Sequence, residues 1–599
     1  PDDRGFVVES IGQGKLAFGH TRLSIIDLSS AGHQPMETAD GRYMVTYNGE
    51  IYNYLEIRAE LEKQGFVFQS KTDTEVLLFS WVKWGPDCLQ RLKGMFAFAI
   101  FDRDTASLTC VRDAFGIKPV FYYWKRGEGL RFSSEVPSLL SLLPGQQALN
   151  IQRVYDYLVA GRYDDNSNSF FENIEQLPPG HLISVDLQHG SAPKIERWWW
   201  PAIEESSTLS FAEAADQLRH MFIDNVRLHL RSDVPIGTAL SGGIDSSAIV
   251  CVMRYLDAEL PIHTFSYVAR NSAANEENWV DRVNEFCSCI PHKVVVDPDE
   301  LSNDLDDMIQ VQGEPFGSTS IYAQYRVFQL AREHGIKVTL DGQGADEILA
   351  GYDGYPGSAM HSMIDRGRLF DTVRYLRAWA NWPGRSMNRG IQSVIGQIIP
   401  PRLYAIAIRI AGRNPVPDWL DIDYLKSQGV SVTWPGGGSR AADSEGRRLA
   451  ASMRSALTGQ GLNALLRHGD RNSMRWSIES RVPFLTTDLA EFLLSLPESY
   501  LVSAEGETKH LFRAAMRGIV PDEILDRRDK IGFETPEQGW LKKIEGDVNQ
   551  WLEGSSRVSF LRQEQCRNKV SSMIDGKESF NFQAWRLINF CRWLQVIEN

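Results

Sequence analysis

The sequence predicts two domains of different class: a sheet-dominated α+β domain first, then an α/β domain built on a parallel sheet. Three observations carry this. The 599 residues exceed what one hydrophobic core supports. Residues 1–140 alternate short β-rich runs with turns, whereas from Phe211 helical periodicity dominates and is broken by short apolar strands.

In the first part the runs are Gly41 to Glu50, Phe96 to Asp102 and Pro119 to Trp124, with one clear helix from Tyr54 to Gln64 carrying Leu55, Ile57 and Leu61 among charges. A polar, proline-containing stretch from Asp186 to Ser206 reads as the connection. In the second part, Pro235 to Ser241, His263 to Tyr267 and Lys337 to Asp341 read as strands between helices. Between Gly357 and Gly459 the pattern weakens into an insertion-like region with Trp-Pro and Gly436-Gly-Gly438 punctuation, and helices resume at Leu462. The expected domains are therefore 1–195 and 205–599, with the insertion at about 357–459.

Composition excludes several classes of function. Net charge is −14 with both signs interspersed, which argues against a nucleic-acid surface. Seven cysteines, with no C-x-x-C pair, fit neither a disulfide framework nor a zinc site and point to reduced thiols in the cytoplasm. No signal peptide is seen at the start and no apolar run reaches about 20 residues, so no membrane contact is expected. The nearest candidate, Val394 to Gly412, is broken by Gln397, Pro400, Pro401, Arg402 and Arg409 and reads as a core or interfacial helix.

The sharpest local feature is Ile236-Gly-Thr-Ala-Leu-Ser-Gly-Gly-Ile-Asp-Ser-Ser-Ala-Ile-Val250. An apolar strand runs into Ser241-Gly242-Gly243, and a helix opens near Asp245-Ser246-Ser247. Paired glycines let the backbone approach a ligand closely, and a helix N-terminus adds free N–H donors, which together favour phosphate. Ser241, Ser246 and Ser247 add hydroxyls. The loop lacks the lysine and length of a γ-phosphate-transfer loop. Asp245 would repel phosphate unless a cation lay between them, which implies Mg2+. A second strand, from Val338, ends in Asp341-Gly342-Gln343-Gly344-Ala345-Asp346-Glu347, where a parallel sheet forms its ligand crevice.

The Ser241 to Ser247 loop resembles the pyrophosphate loop of the glutamine-hydrolysing asparagine synthetase family and its ATP-pyrophosphatase relatives. Further C-terminal matches are Asp470-Arg-Asn-Ser-Met474, Ile478-Glu-Ser-Arg-Val-Pro-Phe-Leu485 and Arg528-Asp-Lys-Ile-Gly-Phe533. The N-terminal matches, Arg22-Leu-Ser-Ile-Ile26, Tyr47-Asn-Gly-Glu-Ile-Tyr-Asn53, Lys71-Thr-Asp-Thr-Glu75 and Arg112-Asp-Ala-Phe-Gly-Ile-Lys-Pro119, look like a class II glutamine amidotransferase domain. The resemblance implies an Ntn-type αββα sandwich followed by a parallel-sheet nucleotide-binding domain with helical additions. It implies a ligase that adenylates a carboxylate with ATP and Mg2+, releases pyrophosphate, and forms an amide with nitrogen from glutamine. A homodimer is compatible with it.

Residue roles follow from the same resemblance. Glutamine falls to Arg22, Leu23, Ser24, Ile25, Ile26, Asn48, Gly49, Glu50 and Asp73. A guanidinium fork at Arg22 suits the α-carboxylate, Asp73 with Glu50 suits the α-ammonium, and the Asn48 amide with the Gly49 N–H suits an oxyanion. ATP falls to Ala239, Leu240, Ser241, Gly242, Gly243, Asp245, Ser246, Ser247, Tyr267, Asp341 and Gly342. Asp245 and Asp346 are the implied Mg2+ ligands, and Lys530 the cation that reaches the phosphates.

Two departures stand out. The nucleophile should be an N-terminal cysteine whose own amino group is its base. Pro1-Asp-Asp-Arg-Gly5 resembles a segment a few dozen residues after that cysteine, so the expectation is that the nucleophile precedes Pro1. Gln343 stands where a glutamate is usual, and an amide cannot act as a base. Aspartate is the first expected acceptor. Gln343 and the insertion also allow another carboxylate, of a polysaccharide or secondary-metabolite pathway. An intramolecular amide former of the β-lactam synthetase kind and a nucleotide-binding regulatory protein are the further alternatives.

Overall fold

A computed structural model of the chain describes residues 1–12, 14–270, 272, 275–398, 417–432, 446–459, 461–529 and 534–597. Its N-terminal part is layered as helix, sheet, sheet, helix. The central layer is a six-stranded antiparallel sheet in the order β11-β10-β6-β5-β4-β3, with β3 Met36–Glu37, β4 Tyr43–Ile51, β5 Gly94–Asp102, β6 Ser107–Arg112, β10 His181–Asp186 and β11 Lys194–Arg197. Because β5 is covered on both faces, it reads Met-Phe-Ala-Phe-Ala-Ile-Phe without polar alternation.

On one face Tyr47, Ile51, Phe96 and Phe98 meet Ile57 and Leu61 of the Tyr54–Lys63 helix and Val76, Leu77 and Trp81 of the Asp73–Trp84 helix. The first helix was expected. The second was not, because buried residues surround it and erase the 3.6-residue pattern. On the other face Met44, Ala97, Ala99 and Phe101 meet Leu16 and Phe18 of the β1 (Asp3–Ile11) and β2 (Gly14–Arg22) hairpin and Tyr122 of β7 (Phe121–Lys125). Strand alternation turns Phe121 and Tyr123 outward, onto Val136 and Leu139 of the Val136–Ser141 helix and Val154 and Leu158 of the Ile151–Ala160 helix. β8 (Gly129–Ser133) and β9 (Ile174–Gln176) flank β7. This is the expected αββα arrangement.

The C-terminal part holds an all-parallel sheet in the order β14-β13-β12-β15-β16: β12 Ile236–Ala239, β13 His263–Tyr267, β14 Ile290–Val294, β15 Val338–Leu340 and β16 Glu479–Arg481. The chain runs outward from β12 to β14, then crosses back to place β15 on the other side of β12. The strand order therefore reverses between β12 and β15, the point where such sheets open a crevice at their C-terminal ends.

Region 357–459 differs from the loop-like insertion read from the sequence. Its described residues are largely helical, at Tyr355–Asp365, Leu369–Ala380, Met387–Ile398, Ile422–Ser427 and Arg448–Thr458. Met360, Tyr375, Trp379, Leu449 and Met453 belong to the main core. Glycine, proline and arginine within and between these short helices hide their periodicity. Gly436 to Gly438 lie outside the described residues, as do residues 399–412 of the Val394 to Gly412 candidate. Among the described residues no helix is long and apolar enough to cross a membrane.

One core serves both parts. Ile25, Ile26, Tyr52, Phe115, Ile117 and Trp199 are continuous with Phe222, Val226, Leu240, Ile249 and Val338. A buried ion pair, Lys118 Nζ to Asp470 Oδ1 at 3.0 Å, crosses the same boundary.

Candidate active site

Two candidate sites lie near that boundary. The first is lined by Arg22, Leu23, Ile25, Ile26, Tyr47, Asn48, Gly49, Glu50 and Asp73, so eight of the nine residues expected to hold glutamine line it together. Ser24, the ninth, is buried and donates its N–H to Asp2 Oδ2 at 2.9 Å.

Gly49 has φ +150°, and a Cβ there would run into the Met95 carbonyl and the Phe96 Cα of the paired strand, so only glycine fits. Its neighbour Asn48 makes no side-chain hydrogen bond among the described residues, which leaves its amide available. Tyr47 Oη at 2.7 Å and the Ile51 N–H at 3.0 Å both donate to Asp73 Oδ2. Burial nonetheless pushes the Asp73 carboxyl up to about 6, with Glu479 adding repulsion. Burial, then repulsion from Asp73, pushes Glu50 well above the usual carboxylate range, with Arg481 pulling against both. The Oε1 atom of Glu50 is buried with no hydrogen-bond partner among the described residues.

Arg22 departs from the simple fork expected of it. Its guanidinium donates to the carbonyls of Ser29 at 2.9 Å, Ile26 at 3.1 Å and Asp27 at 2.6 Å. Three of five N–H groups are thus committed to shaping the 26–29 loop, and two remain for a ligand. The sequence reading missed the other half of this pocket. Lys118, Met474 and Glu479 also line it, the last two from the C-terminal part. They belong to motifs that the sequence marks without assigning a role.

The second pocket is the crevice between β12 and β15. Gly242, at φ +80°, turns the chain after β12, and a Cβ there would press on Trp279 and Val280. The Ile244–Leu256 helix then opens with its N-terminal N–H groups toward the crevice. Ser241 and Ser246 bond to each other, Oγ to Oγ at 3.1 Å, and the Ser241 N–H donates to Ser246 Oγ at 3.2 Å, which closes the loop. The Ser247 hydroxyl is buried with no hydrogen-bond partner among the described residues. From β15, Gly342 packs so closely that a Cβ would lie 3.2 Å from Asp245 Cβ and 3.3 Å from Ser246 N. Burial pushes the Asp341 carboxyl up to about 6 against the pull of its Ser480 hydrogen bond. Ala239 and Tyr267 close β12 and β13 beside the loop.

Asp245 and Asp346, expected as metal ligands, converge on one cation. Lys509 Nζ lies 2.5 Å from Asp245 Oδ2 and 2.8 Å from Asp346 Oδ1. Burial opposes the charge on this ammonium, but Asp245 and Asp346 outweigh it and hold its pKa above the usual lysine value. Hard carboxylate oxygens focused on one positive atom also suit a divalent cation, so these residues fit Mg2+. Among the described residues no cluster of three or more His, Cys, Asp or Glu marks a closed metal site. Lys509 itself sits in left-handed backbone, φ +57° and ψ +27°, at the start of the His510–Ala515 helix. Gly351 makes room for the triad, since a Cβ there would collide with Asp346 Oδ1 and Lys509 Cε.

Lys530 lies outside the described residues. Among the described residues before it, Arg527 donates to the Gly242 carbonyl at 2.8 Å, pairs with Glu276 at 2.9 Å, and lies over the Trp279 ring. Gln343 is half-buried, and its Oε1 is a buried acceptor with no donor among the described residues.

Comparison with known proteins agrees with both halves. The glutamine amidotransferase domain profile matches residues 1–199, and the asparagine synthase profile matches residues 217–595. "Asparagine synthetase [glutamine-hydrolyzing] 1" of Bacillus subtilis (strain 168) is 28% identical over 100% of this chain and 91% of its own length. "Asparagine synthetase [glutamine-hydrolyzing] 3" of the same organism is 28% identical over 96% of this chain and 89% of its own. "Amidase chry2" of Gibberella zeae is 26% identical over 88% of this chain and 82% of its own. The chain belongs to the asparagine synthase family and is a ligase of that kind, an asparagine-synthetase-like, glutamine-dependent amidotransferase.

Proposed function

We propose that the chain adenylates a carboxylate with ATP and converts it to an amide with ammonia drawn from glutamine, aspartate being the first acceptor. The observation that carries this is the Asp245–Lys509–Asp346 triad at the mouth of the Ser241 to Ser247 loop.

In the first pocket Arg22 holds the α-carboxylate of glutamine with its two uncommitted N–H groups, and Asp73 with Glu50 takes the α-ammonium. The Asn48 amide and the Gly49 N–H point at the oxyanion of the tetrahedral intermediate. In the second pocket the helix N-terminus and the hydroxyls of Ser241, Ser246 and Ser247 bind the phosphates. Mg2+, when bound, neutralises phosphate charge; Asp245 and Asp346 would hold it. The acceptor carboxylate attacks the α-phosphorus, the bond to the β-phosphate oxygen breaks, and pyrophosphate leaves. Lys509 and Lys530 stabilise the charge that gathers there. Ammonia then attacks the acyl carbon, AMP departs, and an amide remains.

Gln343 favours a second reading of the acceptor. A neutral amide takes no proton from the attacking nitrogen, and its unsatisfied Oε1 asks for an N–H or O–H donor. With a neutral amide in place of the usual glutamate, a carboxylate other than aspartate that presents such a donor fits this position as well as aspartate's own ammonium would. Pyrophosphate release with ATP, Mg2+ and ammonia, measured across aspartate and a panel of carboxylic acids, tests both readings. Release that depends on no acid in the panel would refute the adenylation itself.

A further inference from the structure

β16 is only three residues long, yet it touches both pockets. Alternation along a strand sends Glu479 and Arg481 to one face and Ser480 to the other. Glu479 lines the glutamine pocket. Arg481 is fully buried and reaches toward the same pocket, Nη2 to Glu50 Oε2 at 3.4 Å, while Nε donates to Glu479 Oε1 at 2.7 Å. Its Nη1 caps the end of the Phe211–His229 helix through the carbonyls of His229 and Arg231, each at 2.7 Å. The guanidinium also lies over the Tyr52 ring. Nε and Nη1 are therefore anchored by hydrogen bonds, and they hold Nη2, which makes no hydrogen bond among the described residues, at ion-pair distance from Glu50.

On the opposite face the Ser480 hydroxyl donates to Asp341 Oδ2. The main chain makes the second link, with the Asp341 N–H donating to the Arg481 carbonyl at 2.7 Å. Asp341 precedes Gly342, which packs directly on Asp245 and Ser246 of the phosphate loop. A continuous path of buried contacts thus runs from Glu50 through Arg481 and Ser480 to Asp341 and the nucleotide crevice.

We infer that β16 is a wall common to both sites, on which Arg481 positions Glu50 for glutamine and Ser480 positions Asp341 for ATP, so that filling one site changes the affinity of the other. This rests on the proposed reading of the two pockets. Two ligands that each draw on one short strand bias its position jointly, and such coupling must be reciprocal.

The test is calorimetric binding of L-glutamine with and without Mg2+ and the non-cleavable α,β-methylene analogue of ATP, and of the analogue with and without glutamine. About a fivefold or larger change in each Kd, by the same factor in both directions, is expected of the wild-type chain. S480A should reduce the factor to within about twofold whatever its affinity for each ligand alone, and S480T, which keeps the hydroxyl on a strand-compatible residue, should restore it. R481K, which keeps the charge but not the anchored fork, should also lose the coupling. Independent binding in the wild type, or unchanged coupling in S480A, overturns the inference while leaving the two sites standing. Failure of either ligand to bind alone overturns the reading of the sites and the inference with it.

Discussion

Replacing Lys509 by methionine tests the triad without altering the phosphate loop. The ammonium lies 2.5 Å from Asp245 and 2.8 Å from Asp346, and its removal takes this cation from both carboxylates at once. Breaking a buried pair by deleting one partner costs about 3–5 kcal/mol. Each carboxylate side chain keeps 21% of its surface exposed, so water softens the loss and the lower end, about 3 kcal/mol, is expected. The variant should also gain a property that the wild type lacks. With the ammonium gone, Asp245 and Asp346 lose the cation that competes with Mg2+ for their oxygens, so the nucleotide-free variant should respond to the metal, and Mg2+ at about 100 times its Kd returns about 2.7 kcal/mol. Denaturant unfolding followed by tryptophan fluorescence, with and without millimolar MgCl2, reads both effects. K509M should unfold earlier and be rescued by Mg2+, whereas the wild type should be indifferent to the metal alone. An unfolding midpoint equal to that of the wild type, or no response of K509M to Mg2+, would refute the reasoning.

Other substitutions and pH probe the remaining features. G351A places a Cβ against Asp346 and Lys509, and misplacing such groups by about 1 Å should slow acceptor-dependent pyrophosphate release on the order of 10²-fold with the far-ultraviolet circular dichroism unchanged. K118M strips Asp470 of its partner at 3.0 Å, leaving Arg471 at 3.7 Å among the described residues, and should cost about 3–5 kcal/mol in denaturant unfolding, most of it recovered in K118M/D470L. Asp73, with its pKa raised from 3.8 to about 6, predicts effects of opposite sign on binding and on stability. Glutamine needs the carboxylate, so its affinity should fall as pH drops through about 6. The ligand-free fold instead holds a proton that the unfolded chain releases nearer 3.8, so this group's contribution to stability rises over the same drop. Calorimetry and thermal unfolding from pH 8 to pH 5 check the two signs.

Sequence disclosed features whose residues are adjacent in the chain. The Ser241 to Ser247 loop announces itself because strand, paired glycines and helix start follow one another within a dozen residues, and the structure sets them beside the Asp341 turn at the reversal of strand order. Features assembled across the chain were not legible. Lys509 is 264 residues from Asp245, and no pattern around Thr508-Lys509-His510 distinguishes it from a surface lysine. Glu479 and Arg481 were visible as part of a motif. Their direction became known only once β16 paired with β15, because a three-residue strand has too short a period to read. The Asp73–Trp84 helix was hidden by burial on all sides, and the helices between Gly357 and Gly459 by their glycine, proline and arginine content.

The account's central claim is cleavage of ATP between its α- and β-phosphates, and the nucleotide product tests it most directly. Incubation of the full chain with ATP, Mg2+, ammonia and aspartate or another competent carboxylate, followed by separation of nucleotides, should show AMP and pyrophosphate in equal amounts, formed only when the acceptor is present. ADP and inorganic phosphate as the products would contradict the account.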